Sequence, residues 1–277
     1  MGRCRCQALG LTEGQKLSMT LNTDGGSRDM PPSFLTQTFT DSRGRVLPYR
    51  MLVPFGHHEQ AHSLIREANL VERMPLVLLL HGSSERGNDN SAQLSNGVAE
   101  LLGSETATAR FACFYVVPQC PEKLHWVKAD LHSGHYVLPP EPSEPLSAAV
   151  ELLESILNSH LIDPQRVYII GFSMGGFGVW DLLSRWPDRF AAAVPICGGA
   201  DENAVVAARA VPVWAFHGAD DPLVPVEYSR RAVAALRAAG GIPRYNEYPN
   251  VGHDAWTKAF AEPALLSWLF SHRRTTA

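Results

Sequence analysis

Five stretches of this chain are apolar almost without interruption, and they constrain its fold more than any other feature. They are residues 75–80, 113–117, 167–171, 191–196 and 211–216. A strand with one wet face alternates apolar and polar side chains, whereas a strand covered on both faces has no reason to. Segments of helical character separate or follow these runs, at 146–160, 175–185 and 226–239. Strand and helix in regular alternation predict a mostly parallel central sheet with helices on both faces. Ahead of the first run, apolar positions at Phe39, Val46, Tyr49, Met51, Leu52 and Val53 are broken by Ser42-Arg43-Gly44. That pattern predicts an N-terminal antiparallel hairpin.

The chain has 277 residues, of which 45% are hydrophobic, enough to bury a large core without a disulfide or metal staple. Its formal net charge is −4 and its Lys and Arg are scattered, which argues against a nucleic-acid partner. The five cysteines, Cys4, Cys6, Cys113, Cys120 and Cys197, form no disulfide framework. Cys4 and Cys6 lack a downstream partner pair, so no metal site is expected, and Cys113 and Cys120 read as ordinary buried thiols. Residues 1–33 carry Gly25-Gly26 and Pro31-Pro32 with no hydrophobic period, the composition of a flexible leader ahead of one domain over 34–277. The leader has no apolar core of the secretory kind, Cys6 stands where a myristoylation motif wants Ser or Thr, and no stretch nears the ~20 apolar residues of a membrane span. A cytoplasmic location is therefore expected, with secretion behind a leader outside the given sequence as the alternative. The oligomeric state leaves no mark on the sequence.

The sharpest chemical signal is Gly171-Phe172-Ser173-Met174-Gly175. Between a buried strand and a helix, G-x-S-x-G forms a nucleophile elbow: the turn is so tight that only glycine on either side lets strand and helix pass closely. A serine hydroxyl needs a base to take its proton, and elbow folds supply acid and base later in the chain, in the order Ser, Asp or Glu, His. Asp221 follows the apolar run that ends near His217-Gly218, which places it on the rim where parallel sheets gather their sites. Asp220 is the alternative acid. His253 lies in a loop between a short strand, 245–248, and a final helix, where its imidazole can serve as the base. The oxyanion of the tetrahedral intermediate needs backbone donors, expected from Met174, directly after the nucleophile, and from Ser83 in the loop after the 75–80 strand. His81 and His217 both end strands in His-Gly pairs and read as structural hydrogen bonders.

A long loop, 118–145, is rich in proline and carries Trp126, Tyr136 and three histidines, His125, His132 and His135. Loops of this length are uncommon without a function, and its aromatics suit the ordered wall of a pocket.

The segments Leu80-His81-Gly82-Ser83-Ser84-Glu85-Arg86-Gly87, Pro118-Gln119-Cys120-Pro121, Gly171 to Gly176, His217 to Pro225 and Gly252 to Trp256 resemble the dienelactone-hydrolase and phospholipase/carboxylesterase branch of the α/β-hydrolase superfamily. The chain is especially similar to esterase-like proteins labelled predicted peptidases, with feruloyl esterases and polyhydroxybutyrate depolymerases as neighbours. The resemblance runs from about residue 36 to 272 and makes 34–277 a single catalytic domain. It implies a triad of Ser173, Asp221 and His253, oxyanion donors at Ser83 and Met174, and either a pocket-wall or a core-packing place for Trp126 and Trp256, with Tyr136 a pocket candidate from the loop itself. It implies no cofactor and a small-molecule ester substrate of short or medium acyl, or small aryl, type. Dienelactone hydrolases proper use a cysteine where this chain has Ser173. A peptidase of the same superfamily and a binding protein that keeps only the fold are the alternatives.

Overall fold

A computed structural model describes residues 33–54, 72–129 and 135–274. The leader, Cys4, Cys6 and His132 lie outside the described residues. The strands are β1 (Leu35–Thr40), β2 (Val46–Leu52), β3 (Met74–Leu80), β4 (Phe114–Pro118), β5 (Ile162–Phe172), β6 (Ala192–Ile196), β7 (Trp214–Gly218) and β8 (Arg244–Tyr248). They form one eight-stranded sheet in the order β1-β2-β4-β3-β5-β6-β7-β8. β1 and β2 pair antiparallel through the expected turn, β2 meets β4 antiparallel, and every pair from β4 to β8 is parallel.

The helices are α1 (Val98–Gly103), α2 (Glu105–Arg110), α3 (Glu144–Ser159), α4 (Met174–Arg185), α5 (Glu227–Ala238), α6 (Ala255–Phe260) and α7 (Leu265–Ser271). Strand periodicity decides which helices cover which face. In β3 the side chains of Leu76, Leu78 and Leu80 point into one apolar cluster with Leu146 and Leu153 of α3, Phe177 and Trp180 of α4 and Val233 of α5. Val77 and Leu79 point the other way, into a cluster with Leu101 of α1, Ala259 of α6 and Leu269 of α7. All five β3 side chains are fully buried, which is why this stretch of sequence could do without polar positions. Truncating one of them, as in Leu78→Ala, would cost about 2–5 kcal/mol through lost burial and the cavity left behind.

β5 begins five residues earlier than its apolar run, because Asp163, Pro164, Gln165 and Arg166 continue the strand where the sheet is only partly covered. Asp163 organises this edge, accepting from the Gln165 N–H (3.0 Å) and from Arg166 Nε (3.0 Å). Among the described residues, no helix is long and apolar enough to cross a membrane.

Candidate active site

Ser173 stands between the end of β5 and the start of α4 with φ 54° and ψ −121°. A serine rarely adopts positive φ, and holding it there costs about 1–3 kcal/mol. The surroundings enforce it. The Ser173 N–H donates to the Ile196 carbonyl (2.9 Å), and there is no space for side chains on either side. A Cβ on Gly175 would collide with the carbonyl of Leu80 at the end of β3, and one on Gly171 with the carbonyl of Gly175. The glycines thus let α4 start hard against the β3 terminus. The hydroxyl-bearing residue is 8% exposed, enough to present its Oγ at the sheet's C-terminal rim.

The same rim receives two more groups. Asp221 follows β7 and His253 follows β8, and His253 bridges the other two: its Nε2 is 2.8 Å from Ser173 Oγ and its Nδ1 is 2.7 Å from Asp221 Oδ2. An ionised carboxylate can only accept, so the Nδ1 must carry the proton. Nε2 is left with its lone pair toward the serine hydroxyl, the tautomer that a general base requires. Asp220 makes no such contact with His253; its backbone N–H donates to the Val251 carbonyl.

Asp221 is buried, and burial alone would push its carboxyl up. Hydrogen bonds from His217 and His253, and from the Val224 N–H, overcome that and hold it well below the usual carboxylate range. Oδ1 accepts the N–H groups of Leu223 and Val224, both at 2.9 Å. Asp221 is thus a fixed anion behind the His253 imidazole.

The loop after β3 runs alongside the elbow, since the space where a Gly175 side chain would sit is filled by the backbone of Leu80 and His81. Ser83 opens a short 3-10 turn, Ser83–Glu85, and Met174 is the first residue of α4, where backbone N–H groups have no partner within the helix. His81 fixes this loop from beneath. Its Nε2 accepts the Cys120 N–H (2.9 Å), so the proton sits on Nδ1 and is donated to the Gly82 carbonyl (2.6 Å). Burial, with Arg86 adding to it, pushes the His81 imidazole down to about 4, so the ring is neutral near neutral pH.

The aromatics divide. Trp256 lies beside His253, its ring 5.4 Å from the His253 ring at 89° and 4.9 Å from Phe172. Trp126 is fully buried, donating Nε1–H to the His81 carbonyl (3.1 Å). Tyr136 is 6% exposed, with its hydroxyl on Asp181 Oδ2 of α4 (2.9 Å). Both therefore stand beneath the rim, because a ring with a polar handle is buried most cheaply where that handle finds a partner.

Three neighbours escaped the sequence reading: Cys197, Ser229 and the Asp221 contact of His217. Cys197 has φ 48°, and its thiol donates to the His253 carbonyl (3.3 Å), steadying the backbone of His253. Burial pushes that thiol far up, so it stays protonated. Cys197, His217 and Asp221 offer ligand atoms within 4.8 Å of one another. A protonated thiol and a carboxylate already saturated with hydrogen bonds make a poor metal donor set, and the cluster serves hydrogen bonding instead. Apart from the motif HGADDP, nothing local in the sequence signals this grouping.

Known proteins resemble the chain at both levels. It is 28% identical over 139 residues to a "probable carboxylesterase" of Arabidopsis thaliana, covering 47% of this chain and 52% of that protein. It is 41% identical over 130 residues to poly(3-hydroxyalkanoate) depolymerase C of Paucimonas lemoignei, covering 45% and 28%. The solved structure of a thermostable esterase superposes with a TM-score of 0.76 at 35% identity, over 87% of this chain and 63% of that one. The chain thus spans about half of the Arabidopsis relative and under two thirds of the solved esterase. The sequence pattern of the phospholipase/carboxylesterase family matches residues 62–264, most of the chain and all three rim residues, and the chain belongs to that family.

Proposed function

We propose that the chain is a serine carboxylesterase that hydrolyses short or medium acyl, or small aryl, esters through an acyl-enzyme. The observation that carries the reading is the continuous hydrogen-bonded line Ser173 Oγ, His253 Nε2, His253 Nδ1, Asp221 Oδ2. In the first step His253 takes the serine proton as Oγ attacks the ester carbonyl carbon; the C–O bond to the alcohol then breaks and His253 returns the proton to the leaving alkoxide. Water repeats the sequence on the acyl-enzyme, releasing the acid. The anionic Asp221 stabilises the imidazolium that forms in each half. Backbone N–H groups of Ser83 and Met174 are the proposed oxyanion donors, and each such donor is worth about 3–4 kcal/mol in the transition state.

Trp256 is the proposed pocket wall, with Trp126 and Tyr136 supporting the rim from beneath. Residues 34–277 are proposed as one catalytic domain, a reading supported by a single sheet running from Leu35 to Tyr248. No resident cofactor enters these steps. A cytoplasmic setting is supported by the free, buried thiols of Cys113, Cys120 and Cys197, which need no oxidising compartment. The substrate reading gains support from the relative named a probable carboxylesterase and from the solved thermostable esterase.

A graded set of phenyl esters, with a proline-containing peptide amide in competition, tests the function. Turnover of phenyl acetate or butyrate, together with a fluorophosphonate adduct on Ser173, is expected. Faster turnover of the amide would make the chain a peptidase, and no adduct on folded protein would make it a binding protein.

A further inference from the structure

His217 ends β7 and is fully buried, yet its ring is not packed passively. Nε2 faces two oxygens, the Val224 carbonyl at 2.9 Å and Asp221 Oδ2 at 3.3 Å. Neither can donate, so this nitrogen must hold a proton; it is given to the Val224 carbonyl, with Asp221 Oδ2 beside it within ion-pair distance. Nδ1 lies 2.7 Å from Ser229 Oγ on α5, whose single hydroxyl hydrogen has two acceptors within reach, Nδ1 and the Gly198 carbonyl (3.0 Å). Gly198 in turn packs against the backbone of Gly176 in the first turn of α4. A buried line of polar contacts therefore joins the acid loop, through His217 and Ser229, to the turn that holds the nucleophile.

Asp221 Oδ2 is thus approached by two imidazoles, His253 from the solvent side and His217 from the interior. The other oxygen is occupied by two backbone N–H groups. A carboxylate so enclosed cannot rotate about its terminal bond without abandoning a buried donor, which is costly in a desolvated site. We propose that His217 is a positioning residue for the reaction, its Nε2–H locking the Asp221 carboxylate in the orientation from which Oδ2 meets His253. The inference rests on the carboxylesterase reading and extends it to a fourth side chain. It also gives the buried His-Gly pair a task beyond finishing a strand.

Glutamine and asparagine separate this role from simple packing. A glutamine amide nitrogen reaches the place of Nε2, whereas an asparagine amide reaches only that of Nδ1. Leucine fills the space and offers no donor at all. In steady-state assays on phenyl butyrate, His217→Leu and His217→Asn should lower kcat by about 10- to 100-fold with KM within about twofold, the scale set by a lost hydrogen bond to a charged group. His217→Gln should recover most of that loss. The proton NMR signal of the His253 Nδ1–H, shifted far downfield in the wild type by its carboxylate partner, should persist in His217→Gln and fade in His217→Asn. Should His217→Leu fail to fold, the glutamine and asparagine pair carries the comparison. Equal kcat in those two folded variants, or a folded His217→Leu at wild-type kcat, overturns the proposal. A wild-type protein that neither turns over esters nor takes the fluorophosphonate would sink the esterase reading itself, a different result from an active wild type indifferent to His217.

Discussion

Acid should loosen the chain at His81 before it reaches any carboxylate. The ring is neutral in the folded protein because burial pushes its pKa from 6.5 down to about 4. Once unfolded it regains its ordinary value, so between those two pH values the unfolded chain holds more protons and stability must rise with pH. The gap, at roughly 1.4 kcal/mol per pH unit, is worth about 3 kcal/mol, fully present above the unfolded value and lost as pH falls toward the folded one. By about pH 5 roughly 2 kcal/mol of it is already gone. Protonation also spoils the geometry, since a charged Nε2–H would face the Cys120 N–H, donor against donor. Urea unfolding of wild type and His81→Gln at several pH values isolates the contribution, because other titrating groups cancel in the difference. The stability advantage of wild type over the variant should shrink by about 2 kcal/mol from neutral pH to about pH 5. A difference that stays constant across that range would refute the neutral, Nδ1-protonated ring and, with it, the account of how the loop carrying Ser83 is held.

Replacing Ser173 by alanine should abolish ester turnover without unfolding the chain, and Ser173→Gly should be more stable than Ser173→Ala by about 1 kcal/mol because glycine tolerates positive φ; calorimetry decides between them. Asp221→Asn should lower kcat by about 10⁴-fold with the fold intact, because an amide can donate to Nδ1 and favour the wrong tautomer; unchanged kcat would reject Asp221 as the acid. Tyr136→Phe should cost about 1–3 kcal/mol in urea unfolding by taking a hydrogen bond from the buried Asp181, while KM for phenyl butyrate stays put; a raised KM would instead put Tyr136 on the substrate.

The parallel strands were legible because a doubly covered strand must be apolar throughout, and β3 to β7 each contain such a run. The start of β5 was hidden by Asp163-Pro164-Gln165-Arg166, which reads as a turn although the sheet accepts it. Helices α1 and α2 were not anticipated, as each is only six residues long and ends at a glycine or an arginine without a lengthy period. Ser173, Asp221 and His253 could be picked out since each closes a strand or follows one in a recognisable order. Residues that touch the rim from below had no such marker: Cys197 and Ser229 look like any buried small residue until β6 and α5 are set beside β7. Trp126 and Tyr136 were recognised as ordered, but which side of the rim they occupy depends on the carbonyl of His81 and the carboxylate of Asp181, partners 45 positions away in each case.

The two apolar clusters divide the chemistry between them. The helix that begins just after Ser173, α4, is anchored by Phe177 and Trp180 in one layer, whereas α6, which follows His253, is anchored by Ala255 and Ala259 in the opposite layer. The sheet lies between the two layers. Any loosening that lets either blanket of helices creep across the strands would part the imidazole from the hydroxyl long before helix content changed, so the proposed ester turnover would be a finer gauge of this molecule's integrity than its spectrum.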